Sequence, residues 1–188
     1  MTRLLIQTQS APLRVDFPFL VQMTNEQFYE FCQANPELRI ERTASGEVVI
    51  VPPAFSDTGN RNFNIATQLG QWTEEDGTGI GFDSSSGFTL PNGATRSPDA
   101  SWIKLERWNS LTEAQKASFA PICPDFVIEL RSANVGVARR RHRLKELQEK
   151  MQEYIDNGAS LGWLIDRHLF STAIAPEIYV LKNAIIFI

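Results

Sequence analysis

Cysteine and histidine are nearly absent from this chain, two of each in 188 residues. Cys32 and Cys123 stand far apart, and no Cys-x-x-Cys pair or Cys/His cluster exists. The ligand spacing of a structural zinc site is therefore missing. Two buried thiols in a reducing compartment are the reading, with a single disulfide as the alternative. Long apolar runs are lacking too: none approaches the roughly 20 residues of a membrane span. The opening Met1-Thr2-Arg3-Leu4-Leu5-Ile6 begins like a signal peptide, but Gln7, Gln9, Arg14 and Asp16 interrupt it. A soluble, cytoplasmic protein without membrane contact is the expectation. Positive charge is in deficit, with 18 Lys and Arg against 22 Asp and Glu and a net charge of −4. That balance argues against wholesale coating of nucleic acid and leaves room for a local basic groove.

What is present fits an ordered α/β chain. Hydrophobic residues make up 43% and charged residues 21%, the composition of a globular domain rather than a disordered tail. Residues 1–23, with Pro12 and Pro18, read as an irregular N-terminal arm, and residues 24–188 as one domain. Thr24 with Gln27 has the form of a capping box, opening a helix that ends near Asn35-Pro36. Leu38–Thr43 and Val48–Val51 flank Ser45-Gly46 as a hairpin. Asp57–Glu75 reads as a helix, with Ile65, Leu69 and Trp72 on one face. A glycine-rich passage (Gly77, Gly79, Gly81) follows, then short strands around Phe88–Leu90 and a turn at Pro91-Asn92-Gly93. Asp99–Ile103 is expected as a strand, Thr112–Ser118 as a short helix, and Phe126–Arg131 as the strongest strand. A long helix stopping at Gly158, a strand Leu161–Ile165, and β-like tail segments Ile178–Leu181 and Ala184–Ile188 complete the pattern. Of the four tryptophans, Trp108 beside Arg107 is the one expected to be exposed.

Two strands carry acids where a buried strand should not. Alternation places Asp99 and Ser101 on one face of their strand, and Val127, Glu129 and Arg131 together on one face of theirs. An acid centred in an apolar strand costs several kcal/mol to bury, roughly 2–7 for an uncompensated polar group and more for a charge, unless it is paired or metal-bound. Two explanations stand side by side: Glu129 forms an ion pair with Arg131 or another arginine, or Glu129 and Asp99 converge on a divalent cation. The long helix adds a candidate. Leu144, Leu147, Met151, Tyr154 and Ile155 form its apolar stripe, and Lys150 borders it. A border lysine can lay its stem on the sheet and carry its ammonium to a strand end, or it can stay in solvent. Arg139, Arg140, Arg141, Arg143 and Lys145 form a basic run in the loop or helix start that leads into this helix. It is either a solvated face or a sequence-independent, salt-sensitive phosphate grip.

The blocks Arg96-Ser97-Pro98-Asp99, Pro124–Ser132, Leu147–Gly158 and Gly162–Asp166, with Thr58–Asn62 and Gly87–Gly93, resemble the Uma-two family. That family groups restriction-endonuclease-like proteins of the PD-(D/E)XK nuclease superfamily. The resemblance runs from about Asn25 to Asp166, while Ala133–Arg143 and the tail after Arg167 depart from the family's pattern. It implies a restriction-endonuclease-like core, a mixed central sheet flanked by helices. Asp99 matches the family's first acid and Glu129 its second; Arg131 stands where the superfamily has a lysine. Lys150 is the position to which that lysine has migrated in such proteins, and Glu41 resembles an extra acid carried before the hairpin. The implied activity is Mg²⁺-dependent (or Mn²⁺-dependent) hydrolysis of DNA phosphodiesters, with Asp99 and Glu129 as metal ligands. Arg139, Arg140, Arg141 and Arg143 become candidate DNA contacts, and a homodimer is the implied assembly. The alternative is the same fold without catalysis, serving as a DNA-binding or structural dimer module.

Overall fold

The computed structural model describes residues 13–15, 23–131, 137–166 and 179–180, with side chains for 23–131 and 143–166. Most of the expected N-terminal arm, residues 132–136, His168 and the expected strand Ala184–Ile188 lie outside the described residues. The described chain divides into two compact units, each assembled from separated stretches.

The first unit takes its described residues from Met1–Pro53, Gly87–Ser97 and Thr112–Ile122. Within the expected arm, Leu13–Val15 forms strand β1. Helix α1 (Asn25–Gln33) opens on the expected capping box: the Gln27 N–H donates to Thr24 Oγ1 at 3.2 Å, and the Thr24 N–H donates to Gln27 Oε1 at 2.9 Å. This satisfies two amides that a helix start leaves open. Strands β2 (Arg39–Arg42) and β3 (Val48–Val51) form the expected antiparallel hairpin, with β1 on the far side of β3. Strands β5 (Phe88–Thr89) and β6 (Thr95–Arg96) close round the expected Pro91–Gly93 turn, and β6 pairs with β2. Phe28 is fully buried against Ile40, Val48 and Ile50, which contributes about 1.5–3 kcal/mol. Arg42 pins this core. Its guanidinium lies 4.9 Å from the Phe28 ring centroid and donates to the carbonyls of Met23, Thr24 and Gly93 and to Asn25 Oδ1. A short helix (Glu113–Lys116) again starts on a capping box, Thr112 with Gln115.

The second unit takes its described residues from Ala54–Ser86, Pro98–Leu111 and Cys123–Ile188. Helix α2 (Ser56–Asp76) precedes strand β4 (Gly79–Asp83); β7 (Ala100–Lys104) runs into helix α3 (Leu105–Asn109). Then come β8 (Phe126–Arg131), helix α5 (Val137–Asp156; the Glu113–Lys116 helix is α4), β9 (Leu161–Asp166) and β10 (Tyr179–Val180). The sheet order is β10-β9-β8-β7-β4, with β8 and β9 parallel and the other pairs antiparallel. This is the expected mixed sheet with flanking helices. One face carries Ala100, Trp102 and Ile128, with Phe126, Trp163 and Ile165 around them, and packs on Ile65 and Leu69 of α2. The opposite face packs on α5. There Gly162 has no room for a Cβ, which would overlap the Met151 side chain.

The structure adds to these expectations and changes one. In the glycine-rich passage Gly79 and Gly81 lie in β4, paired with β7, and a Cβ on Gly79 would overlap the Trp102 indole. Glycine serves close approach there rather than a turn. Trp108 packs edge-on to Phe82 at 5.0 Å, while Trp72 is the exposed tryptophan, at 45%. Helix α3 carries no strong apolar period and was not foreseen. No helix among the described residues is long and apolar enough to cross a membrane.

Both cysteines are free thiols, as expected. Burial pushes each up to about 12, offset at Cys32 by the nearby Arg42 and at Cys123 by the Ala159 amide. Cys123 also donates its S–H to the Tyr154 carbonyl at 3.4 Å. Native protein at pH 8 should therefore resist iodoacetamide, while protein denatured in guanidinium labels at both sites. An unfolded thiol titrates near 8.5, so the folded state binds these protons more tightly. Their stabilising contribution is complete below about pH 8.5 and is lost as pH rises toward 12. Thermal melting followed across that window should fall less steeply for Cys123→Ala than for the parent. Rapid native labelling at pH 8 would contradict the burial.

Candidate active site

The site is built on β8. Its alternation puts Ile128 against α2 and turns Val127, Glu129 and Arg131 toward α5, as the sequence pattern requires. Glu129 is 4% exposed. Its Oε1 receives the Lys150 ammonium at 2.8 Å and the Tyr154 hydroxyl at 3.1 Å. Lys150 and Tyr154 are four apart on α5 and so share a face; the ammonium lies 5.8 Å from the Tyr154 ring centroid. Lys150 does what a border lysine can do, burying its stem and delivering its charge to the sheet. Tyr154 was legible as a member of the apolar stripe. Its hydroxyl as a Glu129 partner was not, although a fully buried tyrosine calls for a partner at its polar tip.

Asp99 stands one residue before β7. The β7–β8 ladder pairs Ala100 with Ile128, so its continuation would set Asp99 opposite Glu129. The ladder stops instead, and the Asp99 side chain replaces it: Oδ2 accepts the Leu130 N–H at 2.8 Å. The first acid thus bonds the backbone of the residue that follows the second. Asp99 Oδ1 accepts from Asn62 Nδ2 of α2 at 3.2 Å. Asp99 is engaged from the α2 side of the sheet and Glu129 from the α5 side, both at the same end of β7 and β8. Asn62 lies within a family-like block, yet nothing in its spacing tied it to Asp99.

Arg131 is placed differently from Lys150. The β8–β9 register sets it beside Asp166, and its guanidinium forms an ion pair with that carboxylate, both groups buried. Asp125, in the family-like block Pro124–Ser132, is structural. Its carboxylate accepts the Lys104 N–H at 2.9 Å and pairs with Arg107 at 2.9 Å, and its carbonyl accepts from the Ser160 and Leu161 amides. These bonds start β8 and β9 side by side. Glu41, in the first unit, is 4% exposed; its carboxylate accepts the Ser97 N–H at 3.1 Å and faces Arg96 at 3.3 Å. Arg143 lies half-buried on α5, and the side chains of Arg139, Arg140 and Arg141 are outside the described residues.

The donors around Asp99 are carboxylate and amide oxygens. That chemistry suits a hard cation, and Mg²⁺ needs only one or two carboxylates. One buried acceptor here, Asn62 Oδ1, has no hydrogen-bond partner among the described residues. The residues present therefore fit such an ion.

Removing one partner of a buried ion pair leaves an uncompensated charge. Asp166→Ala should lower unfolding free energy by about 3–5 kcal/mol in urea titrations. The double variant Arg131→Met/Asp166→Leu should recover most of that loss. A loss of under 1 kcal/mol for Asp166→Ala would show that the pair does not hold β8 to β9.

No curated protein matches the chain. The Uma2 family model, described as "Putative restriction endonuclease", matches residues 25–177. A crystal structure described as that of a "putative nuclease" from Anabaena variabilis is similar to the chain, with a TM-score of 0.62 at 16% identity. The match covers 88% of this chain and 89% of that one. At that identity the likeness establishes the fold, an α/β architecture shared across nearly the whole chain. A family match running from the first turn of α1 to beyond β9 decides the membership: this chain belongs to the Uma2 family.

Proposed function

We propose that the protein is a metal-dependent nuclease that hydrolyses DNA phosphodiester bonds. The observation that carries this reading is the buried Glu129 carboxylate, met by Lys150 and Tyr154, at the strand end where Asp99 caps β8. Family membership supports the reaction class. Asp99 and Glu129 would hold Mg²⁺ or Mn²⁺, which when bound polarises the phosphate and lowers the pKa of a coordinated water. The protein's own groups do the rest. The Leu130 amide and Asn62 fix the Asp99 carboxylate, so it needs no reorganisation on binding. Tyr154 orients Glu129 through its hydroxyl, and the Lys150 ammonium pairs with the same carboxylate oxygen. The Lys150 ammonium is also the cation within reach of the acid to neutralise charge building on phosphate. Lys150, rather than Arg131, is assigned the role of the motif lysine, because Arg131 is committed to Asp166. No step is assigned to Glu41, whose carboxylate serves Arg96 and Ser97 within its own unit. Arg139, Arg140, Arg141 and Arg143, at the start of α5, are proposed to contact DNA phosphates, which makes binding fall steeply with salt.

A second reading has its own observation. Glu129 Oε1 is already met by two donors, so the acids also suit a purely structural ion network in a non-catalytic module. Cleavage of supercoiled plasmid separates the two. The nuclease reading expects Mg²⁺- or Mn²⁺-dependent nicking that falls at least ~10²-fold in Lys150→Met and disappears in Asp99→Asn and Glu129→Gln, with all variants folded by circular dichroism. No cleavage of single-stranded, duplex or branched DNA with either ion, or cleavage that survives both acid substitutions, contradicts it.

A further inference from the structure

Asn62 sits inside α2, where asparagine is a poor choice: its amide competes for backbone groups and its helix propensity is low. Its side chain does not return to the helix backbone. It reaches Asp99, donating from Nδ2 to Oδ1 at 3.2 Å. That bond fixes the amide's orientation, since the reverse flip would set two oxygens against each other. Asn62 Oδ1 takes no part in that bond, and it is buried with no hydrogen-bond partner among the described residues. A buried acceptor left unmet carries a desolvation penalty that nothing in the fold offsets. A helix that needed only packing here would be better served by alanine or leucine. The arrangement makes sense if the oxygen has a partner in the working state, and next to a carboxylate that partner is cationic or a cation's water.

We propose that Asn62 is a positioning residue of the cation site: Nδ2 holds Asp99 in place, and Oδ1 receives the divalent ion or one of its bound waters. The inference rests on the reading of Asp99 and Glu129 as ion ligands. It goes further by drawing α2 into the site and adding a neutral oxygen to two carboxylates. A neutral amide binds the ion without the repulsion that a third carboxylate would bring to the metal-free protein.

The test is Mn²⁺ binding alone, without DNA, followed by titration calorimetry and by the Mn²⁺-induced rise in melting temperature. The parent should bind Mn²⁺, and Glu129→Gln should abolish binding. Asn62→Ala should weaken affinity about 10- to 100-fold, the range for groups that orient metal ligands. Asn62→Asp, nearly isosteric, should melt lower than the parent without metal and show a larger Mn²⁺-induced rise. A purely structural asparagine would shift metal-free melting and leave Mn²⁺ affinity untouched. Should Asn62→Ala not fold, Asn62→Asp decides alone: a Mn²⁺-induced rise equal to or below the parent's overturns the proposal. Parent binding that Glu129→Gln removes but Asn62→Ala leaves unchanged defeats this inference only. Absence of binding in the parent, or binding indifferent to Glu129→Gln, defeats the nuclease reading along with it.

Discussion

A carboxylate in the middle of an apolar strand must be neutralised where it stands, and the second unit is organised around that requirement. Glu129 lies on β8 between neighbours on both sides, with Ile128 and Leu130 beside it in the chain and Leu164 opposite it on β9. An ion of this size moved from water into the interior loses several kcal/mol of solvation even after relaxation. Lys150 and Tyr154 restore it from a single helical face. That demand fixes the rotation of α5 about its own axis. It also fixes the depth at which the helix sits, since Met151 and Ile155 follow Lys150 into the sheet and leave no space for a side chain at Gly162.

The remaining polar groups of the unit read as supports for this arrangement. Asp125 ties the starts of β8 and β9 to the end of β7, and the Arg131–Asp166 pair ties the far ends of β8 and β9 together. Glu129 lies between these two fastenings, so its carboxylate is held by a strand whose register cannot slip. Asp99 takes over from the ladder just before β7 begins. A side chain acting as a ladder rung is short and tightly aimed, which is what a preorganised ligand requires.

Much of this was legible in the residues. Thr24 and Gln27 announce α1, the alternation of Phe126–Arg131 gives both faces of β8, and the stripe from Leu144 to Ile155 places Lys150 at its border. These features depend on local periodicity, which sequence displays directly. What sequence did not show depends on pairing across distance. Gly79 shows its purpose only when the Trp102 indole is laid over it. Arg131 resembles a phosphate clamp until the parallel register brings Asp166 beside it. The hydroxyl of Tyr154, the amide of Asn62 and the buried guanidinium of Arg42 each acquire meaning from a partner remote in the chain. The candidate site was therefore readable as a list of acids and a lysine, and unreadable as a choice between Arg131 and Lys150.

The central claim is that Asp99 and Glu129 share one hard cation. Anomalous diffraction from crystals soaked in Mn²⁺, measured at the manganese edge, tests it most directly. The expected result is a peak with oxygen from both carboxylates at about 2.1 Å. A peak elsewhere, or none at saturating Mn²⁺ with Glu129 still bound by Lys150 and Tyr154, would contradict the claim and leave the acids as part of a structural ion network.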